Sequence, residues 1–256
     1  MNNQMERAQY LQSLHIPGKP LILFNCWDAG SAKVIQEAGA KAIATASWSV
    51  AASHGFEDGE KVPFELVVEN LKRIVSVVEV PVTIDLEGGY ARDLPGLQAN
   101  IAKVLEAGAV GINLEDQIVG GEGLYSIEEQ CSRIRAVREQ AAKLGIPLVI
   151  NARTDVFLKA GSDISRHHVE EAMSRCLAYS EAGASSFFAP GLWEANHIEA
   201  VCQHSTLPVN IMMTAQSPAK KKMAALGVGR ISYGPGPYRQ VMQSLKHASS
   251  QAFSSE

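Results

Sequence analysis

The chain has 256 residues, 23 Lys and Arg against 27 Asp and Glu, and a formal net charge of −4 at pH 7. With no basic run, this balance argues against nucleic acid or an anionic membrane as partner and leaves small anionic substrates to be bound by local charge. Four scattered cysteines, Cys26, Cys131, Cys176 and Cys202, form no CxxC pair, and no apolar run is long enough to span a bilayer or serve as a signal core; the expectation is a reduced, unexported, cytoplasmic protein without disulfides or zinc.

Residues 1–15 read as a polar N-terminal helix. Beyond it, two kinds of punctuation alternate. Pro20, Pro81, Pro147 and Pro208 each precede a short apolar run: Leu21 to Asn25, Val82 to Asp85, Leu148 to Asn151 and Val209 to Met212. Between these, helical stretches ending Glu-Ala-Gly-Ala (37–40, 106–109 and 181–184) precede Ile43 to Thr45, Gly111 to Leu114 and Ser186 to Ala189, and Leu226-Gly227-Val228 precedes Arg230 to Tyr233. The glycine stops a helix and the apolar run after it is a buried strand. Eight strands alternating with helices, in a chain that suits one domain, predict a single (β/α)8 barrel over residues 1–256, with a frayed tail from about Ser249. An open doubly wound sheet is the weaker alternative, because no GxGxxG follows the first strand.

In such a barrel the residues after each strand share one rim. The first strand brings Asn25 and Asp28, although Asp28 equally suits a helix cap. Ser47, Trp48 and Ser49 follow the second strand, Asp85 and Glu87 the third, Asn113, Glu115 and Asp116 the fourth, and Asn151, Arg153 and Asp155 the fifth. Asn210 lies on the seventh, Ser232 and Gly234 on the eighth. So many carboxylates in one space repel unless a cation sits among them. Oxygen ligands without a histidine or cysteine cluster favour Mg²⁺ or Mn²⁺ over zinc. Arg153 offers a planar fork to a carboxylate or phosphonate; its alternative is an internal ion pair with Glu115 or Asp155. Two loops look mobile. Gln117 to Ser126 carries three glycines, as a lid would, and Ser126 with Glu129 forms a helix-capping pair behind it. Ala51 to Lys61 could fold Asp58 onto the metal side.

Four segments, Asn25-Cys26-Trp27-Asp28-Ala29-Gly30-Ser31-Ala32, Asp85-Leu86-Glu87-Gly88-Gly89-Tyr90, Asn113-Leu114-Glu115-Asp116-Gln117 and Asn151-Ala152-Arg153-Thr154-Asp155, carry a resemblance. Through them the chain resembles the isocitrate lyase and phosphoenolpyruvate mutase superfamily, specifically its smaller, mutase-like members. The resemblance implies a (β/α)8 barrel whose last helix is exchanged between subunits of a homodimer or homotetramer. It also implies Mg²⁺ on Asp85, with Glu87, Glu115 and Asp58 helping directly or through water. The substrate it implies is a 2-oxo carboxylate or phosphonate, held by Arg153 and the segment Ser47, Trp48 and Ser49, with Asn113 and Asn210 as further binding candidates. Arg153, Asp58 and Glu115 are the catalytic candidates, for making or breaking a C–C or P–C bond through an enolpyruvate-type oxyanion. The chain departs from the family pattern where Glu87 replaces a common aspartate and where Trp48 and Ser49 replace small glycines. The Lys-Cys-Gly-His lid motif of the lyase branch is also replaced, by Gly120-Gly121-Glu122-Gly123. A non-catalytic 2-oxo acid binding barrel and an isocitrate-type lyase without the lid cysteine are the alternatives. A Schiff-base aldolase lacks a strand-end lysine.

Overall fold

The computed structural model describes residues 4–254. Helix α1 (Gln4–Ser13) leads into β1 (Leu21–Leu23), α2 (Ala29–Glu37), β2 (Ile43–Ala44), α3 (Ser47–Ser53), α4 (Phe64–Val77) and β3 (Val82–Asp85). Next come α5 (Leu94–Glu106), β4 (Gly111–Glu115), α6 (Ile127–Lys143), β5 (Val149–Arg153), α7 (Val156–Ala160) and α8 (Arg166–Glu181). The chain ends with β6 (Ser186–Phe188), α9 (Ala195–His204), β7 (Val209–Met212), α10 (Lys220–Ala225), β8 (Arg230–Ser232) and α11 (Gly236–Phe253). Every strand lies where the proline and glycine punctuation puts it, and the Glu-Ala-Gly-Ala glycines end their helices with φ of 97°, 99° and 101° at Gly39, Gly108 and Gly183.

All strand pairs are parallel, in the order β1-β8-β7-β6-β5-β4-β3-β2. The edge strands meet through a parallel bridge between Cys26 and Thr45, where the Cys26 N–H donates to the Ala44 carbonyl at 2.8 Å. Asn25 ties the seam: its amide donates to the Thr45 carbonyl at 2.8 Å, and its oxygen accepts from the Tyr233 and Gly234 N–H groups, both at 2.9 Å. The result is a nearly closed (β/α)8 barrel.

Alternation along the strands separates two environments. Ile84, Ile112, Leu114, Ile150, Phe187, Ile211 and Ile231 join the helices in the main apolar core. Buried polar residues, Thr83, Asn113, Glu115, Asn151, Ser186, Asn210, Arg230 and Ser232, fall on the opposite face, inside the barrel. Helix α1 closes the amino-terminal end of the strands, packing Ala8 and Leu11 against Leu21, Leu23, Ala44, Val110 and Val149. Gly111 makes room for it, since a Cβ there would lie 2.8 Å from both Leu11 Cδ2 and Thr83 Oγ1.

Two expectations need correction. The second loop starts later than Ala51, because α3 continues to Ser53 with Ser49, Val50 and Ala51 buried. The tail expected to fray from about Ser249 is helical to Phe253; residues 255 and 256, with 1–3, lie outside the described residues. Helix α11 buries only Pro237 and leaves Val241, Leu245 and Phe253 exposed. Ile22 on β1 and Phe24 just after it are also exposed and line an apolar groove with Leu14, Ile16, Val34 and Ile35.

Candidate active site

A cavity of about 370 Å³ opens at the carboxyl ends of the strands, within the size range of small-molecule sites. Its wall includes Asn25, Ser47, Trp48, Asp58, Asp85, Asn113, Arg153 and Ser232. Of the ten candidates for metal, substrate or catalysis, six, Ser47, Trp48, Asp58, Asp85, Asn113 and Arg153, share this wall with Asn25, Ser232 and Gly234 of the expected rim. The other four do not reach it. Ser49 turns into the protein from the first turn of α3 and is 1% exposed. Asn210 is fully buried beneath Ser232, whose hydroxyl donates to it at 3.2 Å. Glu115 stands behind Arg153, and Glu87, in the loop after β3, is held by the Glu60 N–H from the loop after α3.

Asp85 ends β3. Its backbone N–H donates to Thr45 Oγ1 at 3.0 Å, and its Oδ2 accepts from the Ser47 N–H at 3.3 Å. The other oxygen, Oδ1, is buried without a hydrogen-bond partner, which for a carboxylate calls for a cation or a proton. Asp58 reaches the same place. Burial and then the charge of Asp85 raise its pKa, against hydrogen bonds from the Ser47 side chain and the Gly59 amide.

Arg153 makes both of the contacts weighed from sequence. Nη1 meets Glu115 Oε2 at 2.8 Å, while Nε and Nη2 grip the Asp155 carboxylate at 2.6 and 2.8 Å. Three of its five N–H bonds are thereby used, leaving one on each terminal nitrogen for a ligand. Burial opposes its charge, but Glu115 and Asp155 outweigh burial and hold its proton affinity above the ordinary value. Glu115 bears the opposite consequence: burial, reinforced by Asp155, Asp85 and Glu87, pushes its pKa well up despite Arg153. Asp155 is itself braced, its N–H donating to Asp116 Oδ1 at 2.9 Å, and Asp116 Oδ2 accepts from Tyr179 and Arg175 at 2.8 and 3.0 Å. Asp116 is therefore scaffold. So is Asp28, which caps α2 in a reciprocal pair with Ser31.

The loop after β3 is held in a strained form. Among the described residues Glu60, Glu87 and Tyr90 are the non-glycine residues with positive φ, at 57°, 51° and 55°, and they bond to one another. The Glu60 N–H donates to Glu87 Oε2 at 2.8 Å, the Tyr90 hydroxyl to Glu87 Oε1 at 3.2 Å, and the Tyr90 N–H to Glu60 Oε1 at 2.7 Å. Strain of this kind persists where surrounding contacts over-determine it, often at functional sites. The knot fixes the segment carrying Asp58 against the segment carrying Asp85. Burial, then Asp58 and Asp85, push the Glu87 pKa up to about 8. From α6, Arg133 bonds the carbonyls of Gly88, Ala91 and Arg92 and stacks on Tyr125 at 4.6 Å.

Among the described residues no three acidic, histidine or cysteine side chains form a ready metal-binding group. The site still suits Mg²⁺, which is commonly held by one or two carboxylates and several waters: Asp85 supplies an unpartnered oxygen and Asp58 a neighbouring one. Sequence reading missed two arginines. Arg230, 1% exposed on β8, donates to Asn113 Oδ1 at 3.1 Å beneath the site and leaves Nε and Nη1 without partners. Arg239, in the first turn of α11, stacks on Trp48 at the cavity mouth. The inward period-two alternation of Arg230 and Ser232 was a readable signal; nothing in the sequence around Arg239 marked it.

Known proteins are similar to the chain in sequence and fold. The family model described as phosphoenolpyruvate phosphomutase matches residues 11–253. A crystal structure of a candidate phosphonomutase from Burkholderia cenocepacia J2315 superposes with a TM-score of 0.95 at 43% identity, covering 98% of this chain and all of that one. The 2-methylisocitrate lyase of Escherichia coli K12 is 31% identical over 71% of this chain, which spans 64% of that lyase. A phosphonopyruvate hydrolase solved with oxalate and Mg²⁺ shares the fold, with a TM-score of 0.85 at 22% identity, over 96% of this chain and 86% of the hydrolase. The chain belongs to the phosphoenolpyruvate mutase and isocitrate lyase superfamily, whose members here are lyases and mutases.

Proposed function

We propose that the protein is a Mg²⁺-dependent enzyme that makes or breaks a C–C or P–C bond in a small 2-oxo carboxylate or phosphonate, such as oxaloacetate, phosphonopyruvate or a phosphoenolpyruvate-like compound. The observation that carries this reading is the unpartnered Asp85 Oδ1 sharing a cavity wall with the two free N–H bonds of Arg153. Asp85 would hold the ion, with Asp58 reaching it directly or through water and Glu115 and Glu87 lying behind. Bound there, Mg²⁺ would supply positive charge to the oxo oxygen of the substrate.

The residues of the chain do the rest. Arg153 orients the substrate acid and stabilises the negative charge that gathers on the oxo oxygen when the bond to C3 breaks and its electron pair passes into an enolate. Glu115 and Asp155 fix the guanidinium in place, so little reorganisation is needed at the moment of reaction. One preorganised electrostatic group of this kind typically contributes about 3 to 4 kcal/mol. Asn113 and Ser47 position the ligand from either side, and Trp48 narrows the mouth where the family pattern has a small residue.

The lid argues for a pyruvate-type product. Isocitrate-type cleavage releases a dicarboxylate carbanion that must be protonated as it forms, and residues 120–123 offer only the solvent-exposed Glu122 for this. Cys131 is buried in α6 and Cys26 beside β1. The reading therefore excludes isocitrate and methylisocitrate as efficient substrates. A homodimer or homotetramer completes it, with α11 of a second copy covering the groove beside β1. The direct test of the site is calorimetric titration of Mg²⁺ with oxalate into wild type and Asp85→Asn. The variant should stay folded and lose Mg²⁺-dependent oxalate binding at least tenfold, and unchanged binding would refute the assignment.

A further inference from the structure

The cavity has a second cationic end. Around the ring β1 and β5 stand opposite one another, and the wall residues sort by strand. The arc from β2 to β4 supplies Ser47, Asp58, Asp85 and Asn113. The arc from β6 to β7 is apolar, with Phe188, Pro190 and Met212. Arg153 lies at the β5 pole. At the other pole, from the helix that follows β8, Arg239 reaches across the mouth of β1 and lays its guanidinium over Trp48, 4.4 Å from the ring centroid.

Trp48 is held in turn by Tyr238, edge-on at 6.0 Å, and Tyr238 packs edge-on against Trp27 at 5.1 Å. The pile fixes the plane of Arg239 while leaving its N–H fork free at the rim. The other arginine of the cavity wall is matched by two carboxylates; among the described residues no ion pair or side-chain hydrogen bond involves Arg239. An oriented, unpaired guanidinium at the pole opposite Arg153 is a receptor for an anion.

We propose that Arg239 is a specificity-determining residue that binds a second acidic group on the substrate, a carboxylate or phosphonate at the end away from the 2-oxo acid. This rests on the function proposed above and narrows its substrate class to short dianions. Monocarboxylic 2-oxo acids with an apolar tail would meet only the β6–β7 arc and leave Arg239 unpaired.

The test is calorimetric binding in the presence of Mg²⁺ of three ligands: oxalate, whose two carboxylates both sit at the metal end, 2-oxobutyrate, and 3,3-difluorooxaloacetate, the one dianion with its second carboxylate at the far end. Wild type should prefer the dianion to 2-oxobutyrate by tenfold or more. Arg239→Gln should remove that preference while changing oxalate and 2-oxobutyrate less than twofold, and Arg239→Lys should retain part of it. Arg239 is exposed on the first turn of a helix, so both variants should fold, which circular dichroism checks. Equal loss of all three ligands in Arg239→Gln, or an unchanged preference for the dianion, would overturn the proposal with the 2-oxo acid site still standing. Failure of wild type to bind any of the three with Mg²⁺ would overturn both.

Discussion

Arg153 shows how one side chain can be both brace and ligand. A lysine in its place keeps the charge but cannot span Asp155 and Glu115 together and offers no planar fork to the substrate. Arg153→Lys should lower kcat/KM at least tenfold, roughly 1.4 kcal/mol, with steady-state kinetics as the check; full activity would mean that the arginine only braces β5. His15 gives a pH signature away from the site. It is 6% exposed, its Nδ1 donates to the Leu11 carbonyl at 2.8 Å, and burial, then Arg230, push its pKa down to about 4. The folded value lies below the unfolded one of about 6.5, so the unfolded chain takes up the proton first. The contribution of His15 is whole above pH 6.5 and is lost as pH falls towards 4, by roughly 3 kcal/mol in full. Denaturant titrations of wild type and His15→Gln across pH 7 to 4 should converge by this amount; a constant difference would contradict it. At this scale the sequence was only partly legible. Asp85 and Arg153 ended apolar strands and stood out, whereas whether Ser49, Asn210 or Glu115 reached the cavity depended on side-chain direction and on the layer of the barrel, which strand ends alone do not specify.

Elements were more legible, for a local reason. A proline or a left-handed glycine before each apolar run fixes where a helix stops and a strand starts, and β3 and β7 coincide with their expected limits. Helix α3 was hidden because its seven residues follow β2 with no side-chain cap to announce it. The reach of α11 was hidden because a polar, serine-rich end reads as frayed. Its exposed Val241 and Leu245 bear on the proposed exchange. Burying a side chain of this size is worth about 1.5 to 3 kcal/mol, so Val241→Glu with Leu245→Glu should shift wild-type dimers or tetramers to monomers in sedimentation velocity. A wild type that sediments as a monomer at micromolar concentration would remove the exchange.

The whole molecule is a polar-lined barrel with one end sealed and the other opening into a cavity. Helix α1 stops the amino-terminal end with apolar side chains; Asn113, Asn151, Ser186 and Arg230 fill the middle with a connected hydrogen-bond network; and the carboxyl ends of the strands, with the loops that follow them, gather the acids and Arg153. That division is the usual one in barrels, stability below and chemistry above. The central claim, Mg²⁺-dependent scission or transfer in a short 2-oxo acid at this end, is tested most directly by a turnover screen. Oxaloacetate, phosphonopyruvate, phosphoenolpyruvate and methylisocitrate would each be supplied with Mg²⁺ and with excess chelator. The account predicts turnover of at least one of the first three, abolished by chelator, and none of methylisocitrate; efficient Mg²⁺-dependent release of succinate from methylisocitrate, or turnover indifferent to the metal, would contradict it.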